Sequence, residues 1–414
     1  MDRVLGIIAE YNPFHNGHLY HLNESKAVGK ADTVVAVMSG DFVQRGEPAL
    51  MDKWTRANMA VRQGIDLVLE LPFAYACNNA EYFALGAVRA LDGLRVVDCL
   101  SFGSECGDLE RLFAAARVLA ADGAALNTRI REGMAEGFSY PKARRLAVAS
   151  VCGDEIADVL ASPNDILGTE YLKQLILLKS SIIPVIVKRH AADPFSENEA
   201  AGVAGAAAIR RILRADGIDR AARYLPREVR ASVAAYTADG GRLLDLDDLR
   251  IPLICAVLAG ASARDGGRGP ADVFSAAEGL ENRLIRAVRR GRDMDEIVRF
   301  TKTKRYTETR IKRLIVHTVM GLMKEDMRVI EGGGLYARVL AFSDRGAGLI
   351  RRVKKTPRSI PLITNPNRER AARSGCTRLV DFDVKAADMR KLISDGALAG
   401  FFDLNIYPTH DPRA

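Results

Sequence analysis

Four short apolar runs open the chain: Val4-Leu5-Gly6-Ile7-Ile8-Ala9, Thr33-Val34-Val35-Ala36-Val37-Met38, Asp66-Leu67-Val68-Leu69-Glu70-Leu71-Pro72 and Val96-Val97-Asp98-Cys99-Leu100-Ser101-Phe102. Runs this short with little polar alternation mark strands covered on both faces. Between them the spacing predicts helices from His18 to about Gly29, from Asp52 to Gln63 and from Ala80 to Leu91. Strand and helix in alternation demand a parallel sheet with helices on both sides. A helical insertion follows over about Leu109 to Tyr171, and Ile182 to Val187 reads as the last central strand. Ligands of such sheets sit at the C-terminal ends of the strands, where His15, His18, Ser39, Gly103 and Ser104 all fall.

Beyond about Asp216 the pattern changes to alanine-rich and arginine-rich helices, broken by Gly240-Gly241 and by the glycine-rich stretch Asp265 to Pro270, and running to Met327. Gly332-Gly333-Gly334 is a breaker. After it, Tyr336 to Phe342, a helix over Asp344 to Lys354, Ile360 to Thr364 and a helix near Val384 to Ile393 form a small α/β tail. The expected fold is therefore α/β: a Rossmann-like parallel-sheet domain over 1–215, a helical basic domain over 216–330 and a small C-terminal α/β segment over 331–414.

Composition adds constraints. With 414 residues, 48% hydrophobic and 27% charged, the chain has the make-up of a soluble globular protein of two or three domains. Lys179 and Lys188 interrupt its most apolar region, leaving no run of about eighteen apolar residues, and Met1-Asp2-Arg3 enters a strand too early for a signal sequence. The expected location is the cytoplasm, with no membrane contact. Six cysteines, at 77, 99, 106, 152, 255 and 376, form no Cys-x-x-Cys pair, so reduced thiols are expected and no structural metal. Between Arg283 and Arg313, twelve Lys or Arg face four acids, an excess equal to the +8 of the whole chain. Concentration of that kind, with Phe300 and Tyr306 among the bases, points to a polyanionic partner.

The chemistry is read from His15-Asn16-Gly17-His18, placed directly after the first strand at the mouth of a helix. A helix N-terminus presents unpaired N–H groups, glycine lets the backbone approach a phosphate, and two imidazoles can donate hydrogen bonds to an α-phosphate in its more highly charged transition state. No Gly-x-x-x-x-Gly-Lys-Ser/Thr loop is present and no Gly-x-Gly-x-x-Gly follows the first strand, which argues against the two commonest nucleotide-binding loops. Attack on the α-phosphorus by a carboxylate or phosphate oxygen would expel pyrophosphate and needs no covalent nucleophile. Asp41, Gln44 and Arg45, on the loop after the second strand, are placed to face the α-phosphate, the acid or an incoming acceptor.

Over Ala9-Glu10-Tyr11-Asn12-Pro13-Phe14-His15-Asn16-Gly17-His18-Leu19-Tyr20 the chain resembles the opening signature of the bacterial tRNA(Met) cytidine acetate ligases, a branch of the nucleotidyltransferase superfamily. Met38 to Ala49, Asp52-Lys53-Trp54-Thr55-Arg56, Phe102-Gly103-Ser104-Glu105, Ser162 to Gly168, Lys188-Arg189 and Lys304 to Ile311 resemble later blocks of that family in the same order. The resemblance implies an enzyme that activates acetate with ATP as acetyl-adenylate and acetylates N4 of the wobble cytidine of elongator tRNA(Met). It implies ATP lying along Ile7, Ile8, Ala9, Glu10, Tyr11, Asn12, Pro13, Phe14, His15, Asn16, Gly17, His18, Leu19 and Tyr20, with Gly103, Asn164 and Arg189 completing the site, and His15 and His18 catalytic. Magnesium is expected with ATP, without protein ligands that can be named. The turn Val203 to Arg210 lacks the hydroxyls that many nucleotidyltransferases carry there, leaving Arg210 as its contact.

For RNA, Lys302, Lys304, Arg305, Arg310, Lys312 and Arg313 fit a surface tracking phosphates, with Tyr306 to stack on a base; Arg351, Arg352, Lys354 and Lys355 add a second strip. No protein partner is implied. Two other readings stay open: a small-molecule adenylyltransferase, and an RNA-binding protein with a vestigial nucleotide pocket.

Overall fold

The computed structural model describes residues 3–121, 123–189, 197–198, 203–261, 269–369, 375–397 and 402–412; the glycine-rich stretch from Asp265 lies outside them up to Arg268. Its strands are β1 (Val4–Ala9), β2 (Thr33–Ser39), a hairpin of β3 (Phe42–Val43) and β4 (Glu47–Pro48), β5 (Leu67–Leu71), β6 (Cys99–Ser104), β7 (Ile183–Lys188), the paired β8 (Glu197–Asn198) and β9 (Val203–Ala204), β10 (Ala337–Phe342), β11 (Leu362–Ile363) and β12 (Thr409–His410).

The main sheet runs β11-β10-β5-β2-β1-β6-β7, with β12 also pairing β10. Its five strands β5, β2, β1, β6 and β7 are all parallel, as the alternating pattern requires. Both faces are covered: along β2, Val34, Ala36 and Met38 join one apolar core and Val35 and Val37 the other. That two-sided burial explains why these strands read as unbroken apolar runs. Helices α1 (Asn16–Gly29) and α2 (Lys53–Arg62) lie on the face that holds Val34, and the helix Ala80–Gly93 on the opposite one.

The helical insertion between β6 and β7 contains helices over Leu109–Ala120, Ala124–Ala135, Tyr140–Cys152 and Pro163–Leu177. The last is the crossover helix that returns the chain to the sheet. Strand order reverses between β1, which leads to β2 on one side, and β6 on the other. The crevice beyond their C-terminal ends, at Ala9 and Ser104, is where such a sheet binds its ligand.

Beyond β9 a helix forms over Ala206–Ala215, and past Asp216 the helical region expected from sequence contains helices over Arg227–Ala238, Arg250–Ala261, Leu280–Val288, Met294–Thr301, Glu308–Met320 and Lys324–Gly332. Many of their apolar side chains, Leu253, Leu284, Ile297, Leu314 and Ile315 among them, share a core with the Val35 face of the sheet. The small C-terminal α/β segment then widens the same sheet, with β10 running antiparallel to β5. Arg338 pairs in register with Glu70, and both are 2% exposed. Lys53 Nζ bonds Glu70 at 2.8 Å and Asp403 at 3.0 Å, and Arg338 also bonds Asp403, so the buried carboxylates are matched by buried cations. Among the described residues no helix is long and apolar enough to cross a membrane.

Candidate active site

His15 is the N-cap of α1, with extended backbone at φ −142°, and its Nδ1 accepts the N–H of Gly17 at 3.1 Å. Three residues on, His18 Nδ1 accepts the N–H of His15 at 3.3 Å, completing a reciprocal capping box built from two imidazoles. The rings stack, centroids 3.8 Å apart and planes 26° from parallel, while Tyr11 meets His18 edge-on at 5.1 Å. Gly17 leaves room for the His15 ring: a Cβ there would lie 3.0 Å from His15 Cε1 and press on it.

Because each Nδ1 accepts a backbone N–H, the one proton of each neutral ring sits on Nε2. Burial, then the charges of Arg189 and Arg210, draws His15 down from 6.5 to about 3. His18 is held well below 6.5 by burial and by the other imidazoles and Arg189. His21, one turn further along α1, falls to about 4 by burial and Arg189. At neutral pH the site thus offers neutral Nε2–H donors, with positive charge supplied by two arginines.

The loop before His15 is pinned from several directions. Tyr11 takes the left-handed conformation, φ 44°, ahead of a cis Asn12–Pro13 peptide. Buried Arg56 on α2 donates to the carbonyls of Glu10 at 2.7 Å, Ser39 at 3.0 Å and Met51 at 3.0 Å, and also to that of Gly40. Asn12 Oδ1 accepts the Leu50 N–H at 2.8 Å, and Arg210 Nη1 donates to the Asn12 carbonyl at 3.1 Å. Ile7, Tyr11 and Phe14 point into the core, Leu19 packs against it, Asn16 donates to the Arg223 carbonyl, and Tyr20 is exposed.

On the other side of the crevice Arg189 follows β7 and donates to Asn164 Oδ1 at 3.3 Å. Its stem lies over Gly103, where a Cβ would stand 3.2 Å from Arg189 Cγ and Cδ and 4.0 Å from His21 Cδ2. Asn164 Nδ2 is bonded to Glu105, whose other oxygen accepts the Asp165 N–H at 3.0 Å; Asp165 in return accepts the N–H groups of Glu105 and Cys106, each at 3.0 Å. This exchange of caps locks the end of β6 to the start of the crossover helix, so Gly103, Asn164 and Arg189 form one unit. Asn164 orients the arginine, using its amide on protein partners.

Several residues singled out from sequence stand elsewhere. Asp41 is 4% exposed and turns inward, accepting the Lys53 N–H at 3.2 Å beside Arg390, so it does not face the crevice. Arg45 is exposed. Gln44 uses its backbone, its N–H donating to Glu10 Oε1 at 3.0 Å and its carbonyl accepting from Arg313 at 3.1 Å. Arg313 is thereby drawn off the presumed RNA surface, as is Lys312, which bonds Glu47 at 2.8 Å. Tyr306 is 6% exposed, its hydroxyl donating to Glu278 at 2.6 Å and its ring covered by Arg310 at 4.7 Å. That ring is spent in packing and is not presented to a base. Arg305 also pairs with Glu278. Lys302 and Lys304 stay exposed, and the aromatic ring that reaches solvent is Phe300, 41% exposed, with Arg299 over it at 5.0 Å.

Arg56, Glu105, Asp165 and His21 were not assigned to the site from sequence. Only His21 carried a direct signal, its position three residues after His18 on the same helix face; the others act through contacts between segments far apart in the chain.

The HIGH Nucleotidyl Transferase family model matches residues 2–399. The tRNA(Met) cytidine acetate ligase of Caldanaerobacter subterraneus subsp. tengcongensis is 41% identical over 362 residues, covering 87% of this chain and 88% of that protein. The tRNA(Met) cytidine acetate ligase of Bacillus subtilis is 35% identical over 413 residues, covering 98% and 96%. The crystal structure of Thermotoga maritima TmcAL bound with alpha-thio ATP has a TM-score of 0.90 and 31% identity, over 99% of each chain. With this likeness running through sheet, helices and tail alike, the chain belongs to the HIGH nucleotidyl transferase family, among its tRNA(Met) cytidine acetate ligases.

Proposed function

We propose that this protein is an ATP-dependent acetate ligase that makes acetyl-adenylate and transfers its acetyl group to N4 of the wobble cytidine of elongator tRNA(Met). The observation that carries the reading is the stacked pair His15 and His18, each Nδ1 tied to the backbone and each Nε2–H left to donate, at the N-terminus of α1 where strand order reverses. Its support from outside the chain is the name shared by the relatives and the ATP analogue bound by the Thermotoga maritima protein.

In this reading the triphosphate lies across the mouth of α1 between Arg189 and Arg210, with magnesium arriving as part of the nucleotide substrate. An acetate oxygen attacks the α-phosphorus and the bond to the β-phosphate oxygen breaks, releasing pyrophosphate. The Nε2–H groups meet the growing charge on the α-phosphate oxygens, and the arginines meet that on pyrophosphate. Neutral rings suit the task, since their protons are directed by the caps and stay in place. The cytidine amine then attacks the acetyl carbonyl, AMP leaves, and the amine proton is lost to solvent. RNA is held by exposed Arg286, Arg289, Arg290, Arg299, Lys302 and Lys304, all on one segment of the chain. A tRNA substrate places the reaction in the cytoplasm.

The test is incubation of purified protein with ATP, labelled acetate and tRNA(Met). Label on the RNA, with one pyrophosphate released per acetyl group, is expected. Adenylylation of a small phosphate ester in place of acetate would favour the adenylyltransferase reading, and RNA binding without any pyrophosphate release would leave only a binding protein.

A further inference from the structure

Between the exposed basic segment and the imidazole pair runs an unbroken line of alternating charges. Lys302 Nζ lies 3.7 Å from Glu308 Oε2; Glu308 Oε1 lies 3.1 Å from Lys312 Nζ. Lys312 Nζ donates to Glu47 Oε1 at 2.8 Å, and Glu47 Oε2 accepts from Arg210 Nη2 at 3.3 Å. Arg210 ends the line at the Asn12 carbonyl, in the loop that leads to His15. The outer rungs are about half exposed, Lys302 at 52% and Glu308 at 48%, and the inner ones sheltered, Glu47 at 17% and Arg210 at 13%.

The backbone around Glu47 leaves little slack. Gly46, at φ +81°, sits so close to the helix Glu308–Met320 that a Cβ would be 2.4 Å from Arg313 N. The turn between β3 and β4 therefore rides on that helix, while Gln44 N–H holds its other side to Glu10. The Glu47 carboxylate is held between two cations, one on each oxygen, so its position is a compromise between them. If one cation is drawn away, the carboxylate can close on the other, and the attraction grows as the distance shortens.

We propose that this ladder couples RNA on the basic segment to the hold on the phosphates, with Glu47 as the positioning residue that sets how much of Arg210's charge is free for the nucleotide. The inference rests on the ligase reading above. A phosphate that takes Lys302 leaves Glu308 to Lys312; Lys312 then leans away from Glu47, and Glu47 closes on Arg210. RNA thereby loosens ATP and, after adenylate formation, pyrophosphate. By reciprocity ATP loosens RNA to the same degree.

The sign makes the idea testable, because removing either partner of one ion pair has opposite effects. ATP binding, with acetate absent, is measured by calorimetry at low salt with and without tRNA(Met). In the wild type RNA weakens ATP by roughly fivefold, the lower end of typical coupling between sites. Lys312→Met leaves Glu47 wholly to Arg210, so ATP is already weak and RNA has little further effect. Glu47→Gln frees Arg210, so ATP binds at least as tightly as in the wild type and RNA again has little effect. If both variants weaken ATP alike, Glu47 is merely part of the packing and the proposal fails. It fails equally if Glu47→Gln keeps the RNA response, or if wild-type protein binds ATP and RNA without mutual effect; in that last case the ligase reading stands. Wild-type protein that binds no ATP overturns the ligase reading itself.

Discussion

Arg338 stands directly opposite Glu70 across the antiparallel seam between β10 and β5, and both are buried. Charge as well as backbone pairing thus fastens the last fifth of the chain to the strand next to β2. Asp403 and Lys53 close the cluster. A buried ion pair is a weak source of net stability, but breaking one strands an unpaired charge.

Arg338→Met is therefore expected to cost about 3–5 kcal/mol of folding stability. Replacing its partner as well, Glu70→Leu with Arg338→Met, costs less than the single change, because Lys53 still answers Asp403 and no carboxylate is stranded at position 70. Urea denaturation midpoints check both. A single variant within about 1 kcal/mol of wild type would show that the cluster is hydrated.

The imidazole pair makes a prediction about pH. Its pKa values are depressed in the folded state, so between 6.5 and about 3 the unfolded chain binds protons that folded His15 refuses. Stability from this source is whole above pH 6.5 and drains as the pH falls toward 3. For the reaction, ATP–pyrophosphate exchange with acetate keeps a flat kcat/KM through the ordinary histidine range down to about pH 5. An inflection near 6.5 that His18→Asn removes would contradict the neutral, cap-directed rings.

Side-chain length separates capping from catalysis at His18. Asn places an acceptor near Nδ1 and preserves the box but has nothing at the Nε2 position; Gln reaches that position and loses the box. His18→Asn should fold normally and lose about 10²–10³ in exchange rate, as for one removed transition-state donor, with little change in ATP affinity. His18→Gln should retain more activity and melt lower. Equal losses of rate in both would remove the distinction.

Asp383 is buried with its carboxyl accepting from the Phe73 N–H and the Tyr336 hydroxyl. Burial and the nearby Glu70 charge raise it from 3.8 to about 8. Its folded pKa is above the unfolded one, so its contribution is fully present below 3.8 and is lost as the pH rises through 8. Asp383→Asn, which resembles the protonated acid and does not ionise in the unfolded chain, should match wild-type stability below pH 3.8, exceed it increasingly as the pH rises, clearly so by pH 7, and hold a constant advantage above pH 8. Strong destabilisation at pH 7 would mean that the ionised form is the native one.

On the basic segment the exposed ring is that of Phe300, while Tyr306 is packed beneath Arg310. Phe300→Ala should weaken tRNA binding by about 1–3 kcal/mol if it stacks on a base. Tyr306→Leu, which removes the ring, should leave binding unchanged and show only in thermal stability, through the lost packing under Arg310 and the lost bond to Glu278. The opposite ranking in filter binding would restore Tyr306 to the interface.

The parallel strands, the helix from Asn16 and the imidazole pair were legible along the chain because their causes are local. Apolar runs follow from burial on both faces, and a capping box spans only three residues. Contacts between distant segments had no such trace. Glu70 reads as an acid inside an apolar strand until β10, far along the chain, sets Arg338 against it; Asp41 reads as a loop carboxylate until α2 turns Lys53 toward it. Lys312 and Arg313 are indistinguishable in composition from Lys302 and Lys304, yet the helix Glu308–Met320 faces the first pair toward Gln44 and Glu47, while the second pair, ahead of that helix, stays exposed. Short-range periodicity and capping thus determined the elements and placed the turn from His15 to His18. Which charges serve a ligand and which serve the core was decided only when long-range packing chose their partners, since burial and charge pairing depend on neighbours that the order of residues does not place side by side.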